Sequence, residues 1–175
     1  MTESGSPLQS YFQTLARYGE WATRRLLEHV DALPEFDYRR DTGLFFKSVH
    51  GTLNHLLVAE HLIWRRRFAE GVSPKMQLHE QAESDRVRLR ERLIEGAQAW
   101  APLITSWDAA RFGAMLGYTT TKGVSQALPF AATLGHVFNH ASHHRGQISA
   151  ALTALGRPCP ELDLVGMLQA ESASP

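Results

Sequence analysis

The chain has 175 residues, 43% of them hydrophobic and 21% charged, which suits one domain with a core of its own. Lysine plus arginine (18) balances aspartate plus glutamate (18), and a net charge of zero excludes a protein held on nucleic acid by surplus positive charge. The lone Cys159 excludes an intrachain disulfide, no apolar stretch is long enough to span a membrane, and Met1 to Gln9 lack the basic and apolar runs of a signal peptide.

Pro7 opens a first helix that runs to about Val30, with Leu8, Phe12, Leu15, Trp21, Leu26 and Leu27 at helical spacing. Residues 34–43 are polar and read as a loop ending near Gly43. A second helix is expected from about Leu44 to Glu70, stopped by Gly71 and Pro74. It is apolar around most of its circumference, from Phe45 and Phe46 through Val49, Leu53 and Leu57 to Trp64 and Phe68, which is the mark of a central helix. A third helix is expected from about Leu78 to Trp107, with the charge run Glu83–Arg92 as its solvated face.

Residues 108–128 carry Gly113, Gly117 and Gly123, with Tyr118 and three threonines between them, and read as a loop or short hairpin. Gly117 to Gly123 is not a phosphate loop, because the spacing is wrong and Lys122 precedes the glycine. Pro129 suits the first turn of a fourth helix, which runs to about Leu155 and is closed by Gly156 and Pro158. Residues 161–168 add a short helical turn, and Ala170–Pro175 are expected to fray. The pattern is all-α: a four-helix bundle with a loop or hairpin between helices 3 and 4.

Histidines are the unusual component. Four of the nine fall within nine positions of the fourth helix: His136, His140, His143 and His144. A helix turns about 100° per residue, so the pairs His136/His140 and His140/His144, four apart, each project from one face and can reach one metal ion. On an ideal wheel His144 lies about 50° and His140 about 90° from the centre of the apolar stripe formed by Leu134, Val137, Ala141, Ile148 and Leu152. His136 and His143 lie about 130° and 150° away, toward solvent. Spacing therefore favours His140 and His144 as ligands. On the second helix, His50, His55 and His61 lie about equally far from a broad apolar face, and periodicity does not choose among them. His79-Glu80 lacks the second histidine of a zincin motif, and Ser142 beside histidines does not make a triad.

Three segments resemble the DinB (damage-inducible) family, DinB/YfiT-like proteins unrelated to the DNA polymerase that shares the name. They run from Tyr18 through Trp21 to Leu27, from Ser48 through His55 and Glu60 to Trp64, and from His136 through His140 and His144 to Ile148, followed by a C-terminal loop over 156–163. The resemblance spans roughly 8–168 and implies one helical-bundle domain across the chain. It also implies one divalent transition metal, zinc or nickel above all and iron next, on a triad of His55, His140 and His144. Relatives that use mycothiol to isomerise maleylpyruvate carry a carboxylate where this chain has His140, so it looks less like that branch. Other relatives transfer low-molecular-weight thiols to electrophiles, and dimers are common. The resemblance thus implies a small-molecule substrate, a thiol partner and a homodimer, while the lack of a signal peptide or membrane span makes the cytoplasm the expected location.

Three neutral imidazoles leave an ion's charge uncompensated and a coordination position open, as in a catalytic site. The expected function is a metal-dependent thiol transferase or hydrolase, the alternative a non-catalytic metal or small-ligand binder in a stress response. With no cysteine placed as nucleophile, a thiol has to come from a cosubstrate. Candidates for roles beside the metal are His143 as proton shuttle, Glu60 as a buried carboxylate orienting a ligand or pairing with an arginine, and Arg145 with Gln147 near substrate. Trp21 and Trp64 read as core.

Overall fold

In the computed structural model, which describes residues 6–173, helix α1 spans Pro7–Asp31. Residues 1–5 and 174–175, read above as a polar leader and a frayed end, lie outside the described residues. The loop expected at 34–43 contains a short helix, α2 (Glu35–Arg39). Glu35 and Asp37 sit in its first turn, where they favour the helix dipole, and Tyr38 is its buried anchor. One turn is too short to leave a periodic trace in the sequence.

The second long helix begins at Val49, not Leu44. Ser48 caps α3 (Val49–Leu56), its hydroxyl accepting from Gly51 N at 3.0 Å. Residues 42–47 instead form a tight turn closed by Lys47 N–H to Leu44 O at 2.8 Å, with Lys47 at φ +71°. The rod continues through a π-helical stretch, Leu57–Trp64, into α4 (Arg65–Glu70), and Gly71 at φ +67° ends it.

The third helix is shorter than expected. Residues 71–85 are irregular until Asp85 accepts from Arg88 N at 2.8 Å and starts α5 (Arg86–Gln98). α6 (Trp100–Thr105) follows after Ala99, four residues before which α5 is still regular. Pro102 explains the break, since its ring clashes with the carbonyl four residues back.

A 3₁₀ turn at Ala109–Gly113 leads into the hairpin, β1 (Met115–Thr119) against β2 (Ser125–Pro129), antiparallel with Gly117 opposite Ala127. Its turn is closed by Thr120 N–H to Val124 O at 2.8 Å, with Gly123 at φ +82°. α7 (Phe130–Ala154) matches the expected fourth helix. α8 (Leu164–Ala173) is longer than the expected turn; it packs on α1, with Arg17–Glu171 at 2.9 Å between them, and Met167 is its buried residue. The fold is thus mostly helical with one small two-stranded sheet. Among the described residues, no helix is long and apolar enough to cross a membrane.

α1 packs along α5, α6 and α7, and the rod over 49–70 lies against α5 and α7. The core falls into two clusters. One is aliphatic, around Leu26, Leu57, Leu93 and Ile148; the other is aromatic, around Phe12, Phe68, Trp100 and Phe130. Each such buried side chain contributes about 1.5–3 kcal/mol. Between the clusters runs a polar layer of Glu60, His61 and Arg145, all buried. The His61 ring lies flush on the backbone of Gly96, leaving no room for a Cβ there. Gly96→Ala is therefore expected to lower stability to urea by about 1–3 kcal/mol through overpacking. Gly146→Ala on α7, where nothing lies within 4 Å, should instead stabilise by about 0.5–1 kcal/mol. Equal effects at both glycines would contradict this packing.

Candidate metal centre

Three imidazoles from two helices converge at the level of the polar layer. His55 comes from α3, and His140 and His144 come from successive turns of α7. His140 Nε2 lies 3.2 Å from His55 Nε2 and 3.1 Å from His144 Nε2. His55 and His144 are buried and His140 is half-buried, the order that the helical wheel anticipates for the α7 pair.

Hydrogen bonds set the tautomers. His55 Nδ1 faces the carbonyl of Leu78 at 2.7 Å, and a carbonyl only accepts, so Nδ1 carries the proton and Nε2 a lone pair. His144 Nδ1 faces Gln147 Oε1 at 2.8 Å, with the same consequence. His140 stands between two lone pairs and has one proton at most to offer at Nε2. At least one close lone-pair contact is therefore left without a proton. A cation resolves it: ligand nitrogens at about 2.0–2.1 Å on a tetrahedral ion lie about 3.3 Å apart. The donor set and its spacing thus fit a divalent transition metal, and these three residues could hold one. Phe46, released from the expected helix by the 42–47 turn, stacks on His55 with ring centroids 3.8 Å apart and shields that side of the cluster.

A model of the DinB family matches residues 1–174. The chain belongs to the DinB family. It is 28% identical over 155 residues to Protein DinB of Bacillus subtilis (strain 168), covering 81% of this chain and 84% of that protein. The match agrees with the resemblance carried by the three sequence motifs.

In this DinB chain the two histidines that periodicity could not separate from His55 are engaged elsewhere. His50 lies between Tyr38 Oη and Asn54 Nδ2, each at 3.2 Å. His61 faces away, against Gly96 and Glu60. His136 and His143 are exposed on α7. His143 lies with its ring centroid 4.9 Å from that of His144, at the surface expected of it. His29 reaches Pro158 O at 3.0 Å, and His79 is exposed. Cys159 is an exposed free thiol outside the cluster.

Glu60 is not among the groups bonded to the triad. It shares the buried polar layer with His61 and Arg145, and Arg145 bonds Ser142 Oγ at 3.2 Å. Burial pushes the Glu60 carboxyl up to about 7, against the pull of the Arg145 charge. Its Oε2 lies 3.8 Å from His61 Nε2, but burial and then the charges of Arg65 and Arg145 hold His61 down at about 3, so this is not an ion pair at neutral pH. Glu60 Oε1, His61 Nδ1 and Arg145 Nε have no hydrogen-bond partner among the described residues. Gln147, at the three-residue spacing that lets it reach His144, is the side chain that fixes that ring's tautomer. The Leu78 carbonyl has no sequence signal at all, because any residue supplies one.

Burial, then the neighbouring imidazoles, lowers His140 to about 3. Burial lowers His55 to about 4, against the Leu78 bond, and burial likewise lowers His144. His50 is lowered to about 4 by burial. All three triad rings are neutral at pH 7, as metal ligands must be. For folding, the sign follows. Between about 6.5, the unfolded histidine value, and these lower folded values, the unfolded chain binds protons that the folded chain refuses. The stability is fully present above about 6.5 and is lost as pH falls toward 4 and then 3. Glu60, with its raised value, acts oppositely, being most favourable below about 4.5 and losing its contribution as pH rises through about 7. It is one group against His50, His55, His61, His140 and His144. Urea midpoints of metal-free protein should therefore fall steadily from pH 7 to pH 5; a flat or rising profile would contradict the buried, neutral cluster.

Proposed function

We propose that this DinB protein is a single-domain four-helix bundle, built from α1, the 49–70 rod, α5–α6 and α7, that holds one divalent transition metal on His55, His140 and His144. We propose further that it is a metal-dependent enzyme of the thiol transferase or hydrolase type. The observation that carries the reading is the convergence of three Nε2 lone pairs, two of them fixed by proton-accepting partners on the far side of the ring. Held by His55, His140 and His144, such an ion would supply the Lewis acidity that activates a thiol or water.

The protein's own contribution is positional. Leu78 O and Gln147 orient two of the rings, and Phe46 keeps solvent from one side. The half-exposure of His140 gives the cluster an approach from solution, which favours an enzyme over a sealed metal store. With Cys159 exposed in its own loop, the thiol belongs to a cosubstrate. The alternative, a metal or ligand binder without catalysis, has the same first requirement, the ion.

Cobalt-loaded protein tests the reading, since its visible spectrum reports each ligand. Adding 2-mercaptoethanol should change that spectrum saturably; no change would contradict an open position for a thiol. Gln147→Leu should weaken cobalt binding by about 10–100-fold, the usual effect of losing a partner that orients a ligand histidine. An unaltered affinity would remove Gln147 from the site.

A further inference from the structure

Trp64 lies nine residues beyond His55 on the same rod, and His136 lies one turn before His140 on α7. Their rings meet edge to face at 5.7 Å, and the His136 and His140 rings are 5.6 Å apart. Ala132, His136 and His140, each four residues apart, share one face of α7. A continuous track therefore leads from the triad along α7 to the hairpin. The irregular segment 71–85 runs beside it: the Ser73 hydroxyl accepts from Thr119 N of β1 at 2.9 Å, and Leu78 O meets His55 at 2.7 Å.

At the hairpin end is a pocket of about 410 Å³ lined by Trp64, Tyr118, Leu128, Pro129, Thr133 and His136. Small-molecule sites are typically about 300–1,000 Å³, largely apolar, with few polar groups. The walls are preformed. The buried Arg67 guanidinium lies 4.5 Å from the ring centroids of both Trp64 and Tyr118, and its Nη2 donates to Thr119 O at 2.8 Å. The guanidinium thus lies against two ring faces and a carbonyl and does not line the pocket, although its Nε has no hydrogen-bond partner among the described residues. Among the described residues, no carboxylate, lysine or arginine lines the cavity, and the Thr133 hydroxyl donates to Pro129 O at 2.8 Å. The imidazole of His136 stands at the end nearer the triad. Leu128 is 39% exposed at the mouth.

We propose that this pocket binds an uncharged, planar aromatic substrate and presents its reactive end toward the histidine triad, with His136 at the junction. An aromatic ring suits edge-to-face contact with Trp64 and Tyr118, whereas a charged ligand would lose its hydration without a partner. The proposal rests on the metal reading above for its reacting centre, and on the pocket alone for its ligand.

The test uses 2-acetylnaphthalene as probe, followed by proton NMR with zinc-loaded and with cobalt-loaded protein. The probe should bind the zinc form saturably, and paramagnetic cobalt should selectively relax its protons. Trp64→Ala and Leu128→Asp should each weaken binding by about tenfold or more, Leu128→Asp serving because its exposed position tolerates a charge. The His140→Ala, His144→Ala double variant should still bind the probe and lose the cobalt effect. Absence of binding to wild type, undiminished binding in both pocket variants, or no relaxation in protein shown to contain cobalt would each overturn the proposal. A wild-type dimer that Leu128→Asp dissociates, with no probe bound, would also overturn it by making the pocket a subunit interface. Probe binding to protein that takes up no cobalt would instead sink the metal reading and leave the pocket standing.

Discussion

The Nε2 atoms of His55 and His144 are held 3.2 and 3.1 Å from that of His140, and much of the structure is arranged to keep them there. Left alone, such a group would rotate its rings or take up protons. Burial resists the protons, and the Leu78 carbonyl and Gln147 amide resist the rotation. The geometry needs α3 and α7 in one register, because His55 has to meet both turns of a helix 85 residues further along the chain.

The polar layer between the two core clusters lies at the same level. Glu60 and His61 sit within the π-helical stretch, and Arg145 directly follows His144. A wide turn and three buried polar atoms without partners among the described residues are unfavourable for folding alone. π-helical turns gather at functional sites because they re-aim side chains that a regular helix would not. Here the stretch separates His55, aimed at α7 on one side, from His61, aimed at Gly96 on the other. The small residues Gly19, Ala97 and Ala141 line the space around the layer and let the helices approach.

How much of this was legible depended on whether the signal was local. α1 and α7 were readable to within a residue or two because prolines and Gly156 mark their ends. The ranking of the four α7 histidines by wheel angle matched their burial, because burial of a regular helix is set by its own sequence. The choice of His55 over His50 and His61 was not readable from periodicity. It depends on what stands opposite each ring: Tyr38 and Asn54 for one, Gly96 for another. Family resemblance supplied it. The two misplaced helix starts have a shared cause. Leu44–Lys47 and Leu78–Glu83 are compatible with helix by composition, and tertiary contacts overrode them. Both segments serve the cluster, one bringing Phe46 to His55 and the other the Leu78 carbonyl. Trp21 and Trp64, read as core, are half-buried, and Trp64 is a pocket wall.

The central claim is that the three histidines hold an ion, and metal content measures it most directly. Elemental mass spectrometry of the purified protein beside a His140→Ala, His144→Ala variant should find about one equivalent of a divalent transition metal in the first and none in the second. No metal in the wild type, and none taken up on reconstitution with zinc or nickel, would contradict the account.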